Sequence, residues 1–399
     1  MTRVGGAMGE SESFVENKRF GRYLRRARED RKLSLDAVEE MTSGYPDRVT
    51  KSHLSRIENG SAVPSFGKMF ALSQIYGIPI SAMAEQFEID LLREIQVVDA
   101  ESCSAEEILA ELDRLKLAGN YHEGLALVTA AIDAIQNDRS RANDEQVENL
   151  RLYQVDFLAH LERYELAKVY CEQMLSGELS SSGQRLRTLL CFVICCYRLK
   201  RYTIAEMALE QAERELDNEE HPVKLRATVR ATRAVVQTAL GLLEQAIKTY
   251  KEAISLFLEV PEPFETCRAQ VNVAQTMISA GRPENALPYL RTALKRAEQS
   301  GYDRLRALAL SHLAVVHFRR GDLDVAETYA LRSNAIARSR EFLTLVFRNC
   351  FYLRAVARER GDEDAVRANE RTLKAYLSRV DPELPELIEY RAELEGGAR

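Results

Sequence analysis

The chain has 399 residues, enough for a small domain joined to a long array or for two or three ordinary domains. A charged fraction of 29% and a formal net charge of -6 exclude a wholly basic nucleic-acid packager. The longest apolar run, Leu189 to Tyr197, is about half of what a membrane-spanning helix needs.

The charge is unevenly placed. Residues 17–60 hold eleven Lys or Arg against seven Asp or Glu, a local +4 that leaves -10 for the rest. A basic patch on an acidic chain is the electrostatic footprint of a small DNA-reading module. Residues 1–16 carry Gly, Ser and Glu without an apolar h-region, so they read as a disordered tail and not as a secretory signal. Seven Cys, an odd number, sit inside apolar helical patterns, which argues against a disulfide framework and for a reducing cytoplasm. Alternating β-branched stretches are lacking, and the chain is predicted to be all-α.

The first helix starts near Asn17 and places Phe20, Leu24 and Ala27 on one face, with Arg22, Arg25, Arg26 and Arg28 mostly off it. Ser34 is a good N-cap for a second helix, with Asp36 in its first turn and Val38 and Met41 on its apolar side. Ser43-Gly44-Tyr45-Pro46-Asp47 breaks that helix. Thr50 caps a third through Glu58, and Gly60 supplies a left-handed stop. Pro64-Ser65 begins a fourth, with Phe66, Met69, Leu72 and Ile75 inward. Gly77 ends it, and Ser81 opens a fifth.

The run Thr50-Lys51-Ser52-His53-Leu54-Ser55-Arg56-Ile57-Glu58-Asn59-Gly60, followed by Pro64-Ser65 and Tyr76-Gly77-Ile78, resembles the five-helix domain of the Cro and phage-repressor (Xre) family, over residues 17–86. The turn before the third helix is about five residues longer than the family's tight turn, which bears on how that helix is presented. The resemblance implies a recognition helix that enters the major groove N-terminus first, with Lys51, Ser52, Ser55 and Arg56 toward base edges. Lys and Arg suit guanine O6 and N7, whereas Ser is less selective. It also implies phosphate contacts at the amides of Ser34 and Leu35 and around Asn59 and Lys68. Outside this motif, Lys51 and Arg56 would be ordinary solvated charges. His53 is open between a backbone contact and packing.

Residues 87–103 read as a helical linker, with Ser102 or Ser104 as the cap of the first repeat. From Ala105 the chain repeats itself. Gly241, Gly281, Gly321 and Gly361 stand forty residues apart. The first three are followed by Ala246, Ala286 and Ala326, then by Ala253, Ala293 and Ser333, and preceded by Ala234, Ala274 and Ala314. Looser copies precede them at Gly119-Asn120-Tyr121, Arg163-Tyr164 and Arg201-Tyr202. This pattern resembles tetratricopeptide repeats, in which small residues let two antiparallel helices pack closely. Seven repeats are expected within residues 104–399, the last a capping copy, then a final helix from Leu384 to Glu395.

Such arrays curl into a right-handed superhelix whose concave wall is built by the first helix of each repeat. Family positions place Asn149, Tyr153, Asp156, Arg187, Ile194, Tyr197, Arg268, Asn272, Gln275, His312, Phe318, Arg348, Phe351 and Arg358 on that wall. Arg187, Arg268, Asn272, Gln275, His312 and Arg348 are the candidate contacts to an extended peptide or protein partner, since Asn pairs with amides and Arg with carboxylates. The same residues could simply solvate the inner surface of a scaffold.

Other chemistry is not expected. Cys191 and Cys195 are one turn apart on a helix, but within an apolar run they read as core. His312 and His317 are five apart and lack the glutamate of a zinc protease. No catalytic site, metal or cofactor is expected. The whole arrangement resembles the peptide-pheromone receptors of the Rgg, PlcR and PrgX type. That resemblance implies a homodimeric, cytoplasmic transcription regulator that binds double-stranded DNA and a peptide. The rival reading is a repeat scaffold that the N-terminal domain merely localises to DNA.

Overall fold

A computed structural model describes residues 18–91, 100, 102–218 and 221–396. The expected tail, 1–16, and most of the expected linker lie outside the described residues. Among the described residues every regular element is a helix. They fall into two compact units, one within 1–96 plus 163–170, the other within 97–162 plus 171–399.

In the first unit, α1 (Lys18–Asp30), α2 (Leu35–Met41), α3 (Lys51–Glu58), α4 (Phe66–Tyr76) and α5 (Ile80–Leu91) follow the expected order. Their starts are chemically marked. The hydroxyls of Ser34, Thr50 and Ser65 accept from the amides of Ala37, His53 and Lys68, satisfying donors that a helix start leaves open. Gly60 and Gly77 take left-handed φ of 75° and 57° where α3 and α4 end. Phe20, Leu24, Val38, Leu54, Ile57, Leu72 and Tyr76 make the core. Two residues expected on inner faces are not there. Met41 is 48% exposed and Phe66 72% exposed, because each sits at a helix end beyond the reach of its neighbours.

In chain order the rest comprises α6 (Ala105–Ala118), α7 (Tyr121–Asn137), α8 (Asp144–His160), α9 (Tyr164–Ser176), α10 (Ser182–Arg198) and α11 (Tyr202–Asn218). It continues with α12 (Val223–Ala239), α13 (Leu243–Leu258), α14 (Pro263–Ser279), α15 (Pro283–Ser300), α16 (Asp303–Arg319), α17 (Leu323–Ser339), α18 (Leu343–Glu359), α19 (Glu363–Tyr376) and α20 (Pro385–Gly396). From α6 onward these are seven helix pairs and a last, single helix. Ser104 starts α6 with a capping box, its hydroxyl bound by the Glu107 amide while the Glu107 carboxylate takes the Ser104 amide at 2.8 Å.

The forty-residue spacing has a physical basis in close packing. Ala234, Ala246, Ala253, Ala274, Ala286, Ala293, Ala314 and Ala326 are all buried, as is Ser333. At equivalent places the Cys267 thiol and the Ser333 hydroxyl donate across the helix pair to the carbonyls of Ala293 and Ala307, at 3.3 and 2.8 Å. The turn within each pair needs positive φ. Glycine fills it at 119, 241, 281, 321 and 361, while Glu162 and Lys200 adopt φ of 63° and 60° in two earlier copies.

The even-numbered helices from α6 to α20 stack in one continuous row, and α6 also meets α16, so the row curls back on itself. Successive turns touch along a seam. Arg304 lies over the rings of Tyr121 and Phe342, with 5.6 and 5.1 Å to their centroids. Arg340 bonds both Asp303, at 2.8 Å, and Asn120. Thr344 donates to Glu162, 182 residues away, and Lys200 meets Glu383 at 2.7 Å in nearly the same register. One superhelical turn therefore takes between four and five repeats.

Candidate functional site

The outer face of α3 carries Lys51, Ser52 and Arg56, with Lys51 and Ser52 exposed and Ser55 half-buried beside them. Leu54 and Ile57 anchor the opposite face in the core. Two features fix how this helix is presented. Gly21 of α1 leaves no room for a side chain, since a Cβ would stand 2.5 Å from the Ile57 carbonyl oxygen, so α1 lies directly against the end of α3. Glu58 is buried and takes Arg28 through Nε at 2.7 Å and Nη2 at 2.9 Å, with Arg25 at 3.4 Å. Its carboxylate, through a side-chain hydrogen bond, raises the pKa of Arg28 against the opposing effect of burial.

The residues expected to contact phosphate, Ser34, Leu35, Asn59 and Lys68, belong to the same unit as α3. Ser34 and Leu35 stand at the start of α2. Asn59 is exposed, its side-chain oxygen accepting from Arg25 at 2.5 Å. Lys68 lies near His53, whose pKa is lowered by burial and then by the charges of Lys68 and Arg56. His53 is half-buried. Lys51 has its ammonium 2.8 Å from Asp36 while half its side chain stays open. Sequence reasoning misses Arg25, Arg28, Glu58 and Gly21, because a basic helix flank and a terminal glutamate look alike whether solvated or paired.

The longer turn before α3 is not slack. Thr42 is fully buried, accepting from the Val49 amide at 3.1 Å, with the Val49 carbonyl oxygen 3.2 Å from the same hydroxyl, which closes the base of the loop. Glu39 accepts from the Lys51 amide at 2.8 Å and from Arg48 at 2.8 Å.

The repeat array places its candidate residues in two different settings. Arg187 is exposed and donates to Asn149 at 2.7 Å. Arg268 pairs with Glu265 at 2.5 Å, Asn272 is half-buried and bonds Tyr250, and Gln275 is exposed. Arg268 shares the lumen side of the inner helices with Lys116, Asp156 and His160. Lys116 pairs with Asp156 at 2.9 Å and lies 5.9 Å from the rings of both Tyr153 and Phe264. His160 stacks on Tyr121, centroids 4.3 Å apart, and burial drives its pKa down to about 3. Burial is the largest single effect on Asp156 and pushes its carboxyl up, but Lys116, His160 and Arg268 together outweigh it and hold the carboxyl at about 2.

His312 and Arg348 correct the expectation. His312 is buried, and Arg348 is buried in an ion pair with Glu386 of α20 at 3.1 Å. α20 occupies the place of an eighth inner helix and covers α18, so Arg348 belongs to the core and not to an open wall, and His312 on α16 is buried as well. Phe351 is buried as well. Cys195 packs in the core, as the apolar run implied, whereas Cys191 is only half-buried. Among the described residues no helix is long and apolar enough to cross a membrane.

Comparison with known proteins agrees with this anatomy. Residues 19–86 match a family model described as a helix-turn-helix domain, and residues 225–299 and 265–339 match one described as a tetratricopeptide repeat. No curated protein matches the chain. Among solved structures, a Rap protein complexed with competence and sporulation factor is 18% identical, covering 68% of this chain and 77% of that one, with a TM-score of 0.51. Bacillus thuringiensis PlcR, solved with a peptide and DNA, is 14% identical over 73% of this chain and 99% of its own, with a TM-score of 0.43. Aspartyl phosphate phosphatase F from Bacillus subtilis is 16% identical, covers 100% and 93%, and has a TM-score of 0.49. The likeness to the Rap protein is one of fold. The chain thus carries an N-terminal helix-turn-helix domain followed by tetratricopeptide repeats.

Proposed function

We propose that this protein is a sequence-specific DNA-binding regulator of transcription, in which α3 reads the major groove and the repeat array holds a partner and pairs two copies. The observation that carries the reading is α3 itself. A short helix presents Lys51, Ser52, Ser55 and Arg56 outward while Leu54, Ile57 and the buried Glu58 clamp it to the domain. Side chains held this way can meet base edges with little ordering cost. Residues 17–86 act as the DNA-binding domain, and 104–399 as the array.

One such domain touches few base pairs, so two copies should read paired half-sites about 34–36 Å apart or a multiple of that. Selection of bound duplexes from a random-sequence pool tests both points. The expected result is an enriched palindrome with that spacing. Failure to enrich any sequence would contradict the reading.

For the partner, Arg187, Arg268, Asn272 and Gln275 are the candidate contacts, reached through the lumen. An extended peptide fits their chemistry. The scaffold reading has one observation in its favour: the lumen's charges already satisfy one another, as Lys116 with Asp156 and Arg268 with Glu265. Mass spectrometry of the purified protein separates the two, since a co-purifying peptide supports the first reading and its absence the second.

A further inference from the structure

We propose that the long turn between α2 and α3 is a rigid DNA-contacting element in its own right, with Arg48 holding a backbone phosphate beside the leading end of α3. The proposal rests on the DNA-binding reading and adds to it a contact that the usual tight turn cannot make.

Placement comes first. The two oxygens of the Glu39 carboxylate split their duties: one takes Arg48 at 2.8 Å, the other takes the first amide of α3, that of Lys51, at 2.8 Å. The Arg48 guanidinium is therefore tethered at the end of α3 that enters the groove, and more than half its side chain is exposed. Exposed arginines are common, but this one sits where a phosphate must pass if α3 is inserted N-terminus first.

Rigidity is the second link. The loop is fastened at its base by Thr42 and Val49. Its far side is fastened to the start of α4, where Asp47 accepts from the Ser65 hydroxyl at 2.9 Å. Glycine at residue 67 leaves room for that seat, since a Cβ there would lie 2.2 Å from the Asp47 carboxylate oxygen and the carboxylate would have to move. The Tyr45 ring packs edge-on against Phe70, centroids 6.4 Å apart. A segment pinned in this way loses little freedom on binding, so a contact made from it is not cancelled by ordering.

The remaining link is chemical. A guanidinium has five donors, and Glu39 occupies one Nη2 donor of Arg48. The others can take a phosphate while the Glu39 contact stays, so Glu39 acts as a positioning residue for Arg48. The acids nearby, Asp36 and Asp47, are each engaged, by Lys51 at 2.8 Å and by Ser65.

The test uses the full chain, a duplex selected from the random pool and a scrambled duplex of equal length, titrated across salt concentrations. Arg48→Ala should weaken both duplexes alike and lower the slope of log affinity against log salt by about 0.9, the signature of one lost phosphate contact. Arg48→Lys should restore most of the slope. Gly67→Ala, which displaces Asp47 without touching Arg48, should weaken both duplexes as well, with circular dichroism reporting an intact fold. An unchanged slope with Arg48→Ala overturns the proposal. A loss confined to the selected duplex would make Arg48 a base reader and overturn the phosphate assignment. A wild type with no salt-dependent binding to either duplex sinks the DNA reading, and the loop assignment with it.

Discussion

The carboxylate of Glu58 is deeply buried and paired with the guanidiniums of Arg28 and Arg25. Removing one partner leaves the other charge stranded. Glu58→Ala should therefore destabilise the first unit by about 3–5 kcal/mol, read as a lower urea midpoint, and Arg28→Ala by a similar amount. Replacing both by apolar residues of similar size should recover most of that loss. None of this is legible in the sequence, where Arg28 is one of a crowd of arginines and Glu58 looks like a surface residue. The outer face of α3 is legible, because Leu54 and Ile57 at helical spacing leave only one face for Lys51, Ser52 and Arg56. Phe66 departs from expectation for a related reason: helical spacing gives the direction of a side chain but not whether anything stands opposite it.

At the scale of elements, the forty-residue rhythm of glycine and alanine marks the helix pairs, because close helix packing admits only small residues at those places. Glu162 and Lys200 hide two of the turns, since a long side chain in left-handed backbone leaves no mark in composition. The fate of Arg348 is hidden by α20, whose place as an eighth inner helix depends on tertiary stacking. The inner helices α8 and α16 each carry a neutral histidine, half-buried His160 and buried His312, both with pKa values driven to about 3 by burial. Below about pH 6.5 the unfolded chain binds two protons that the folded array accepts only near pH 3. Stability is therefore full above pH 6.5 and falls with acidification, by about 2 kcal/mol for each histidine at pH 5. Thermal unfolding at pH 7 and pH 5 measures this, and the double variant His160→Gln with His312→Gln should flatten the difference. An equally steep loss in that variant would move the effect to other groups.

For the molecule as a whole, the seam between superhelical turns sets the pitch of the array. Its exposed ion pairs, such as Lys200 with Glu383, contribute little each, so the cluster of Phe342, Tyr121 and Arg304 should carry it. Phe342→Ala should open the array, seen as a larger radius of gyration in small-angle scattering. An unchanged radius would mean that neighbouring helices alone fix the pitch.

The claim on which the rest depends is that α3 reads DNA sequence, and footprinting the selected duplex tests it most directly. Three proteins are compared: wild type, Lys51→Ala with Arg56→Ala, and Leu54→Ala. Each lost base contact is worth roughly 1–3 kcal/mol, so the double variant should keep its fold and lose the footprint. Leu54→Ala should lose both, since a buried leucine truncated to alanine costs about 2–5 kcal/mol. A folded double variant that protects the same sequence with unchanged affinity would contradict the account.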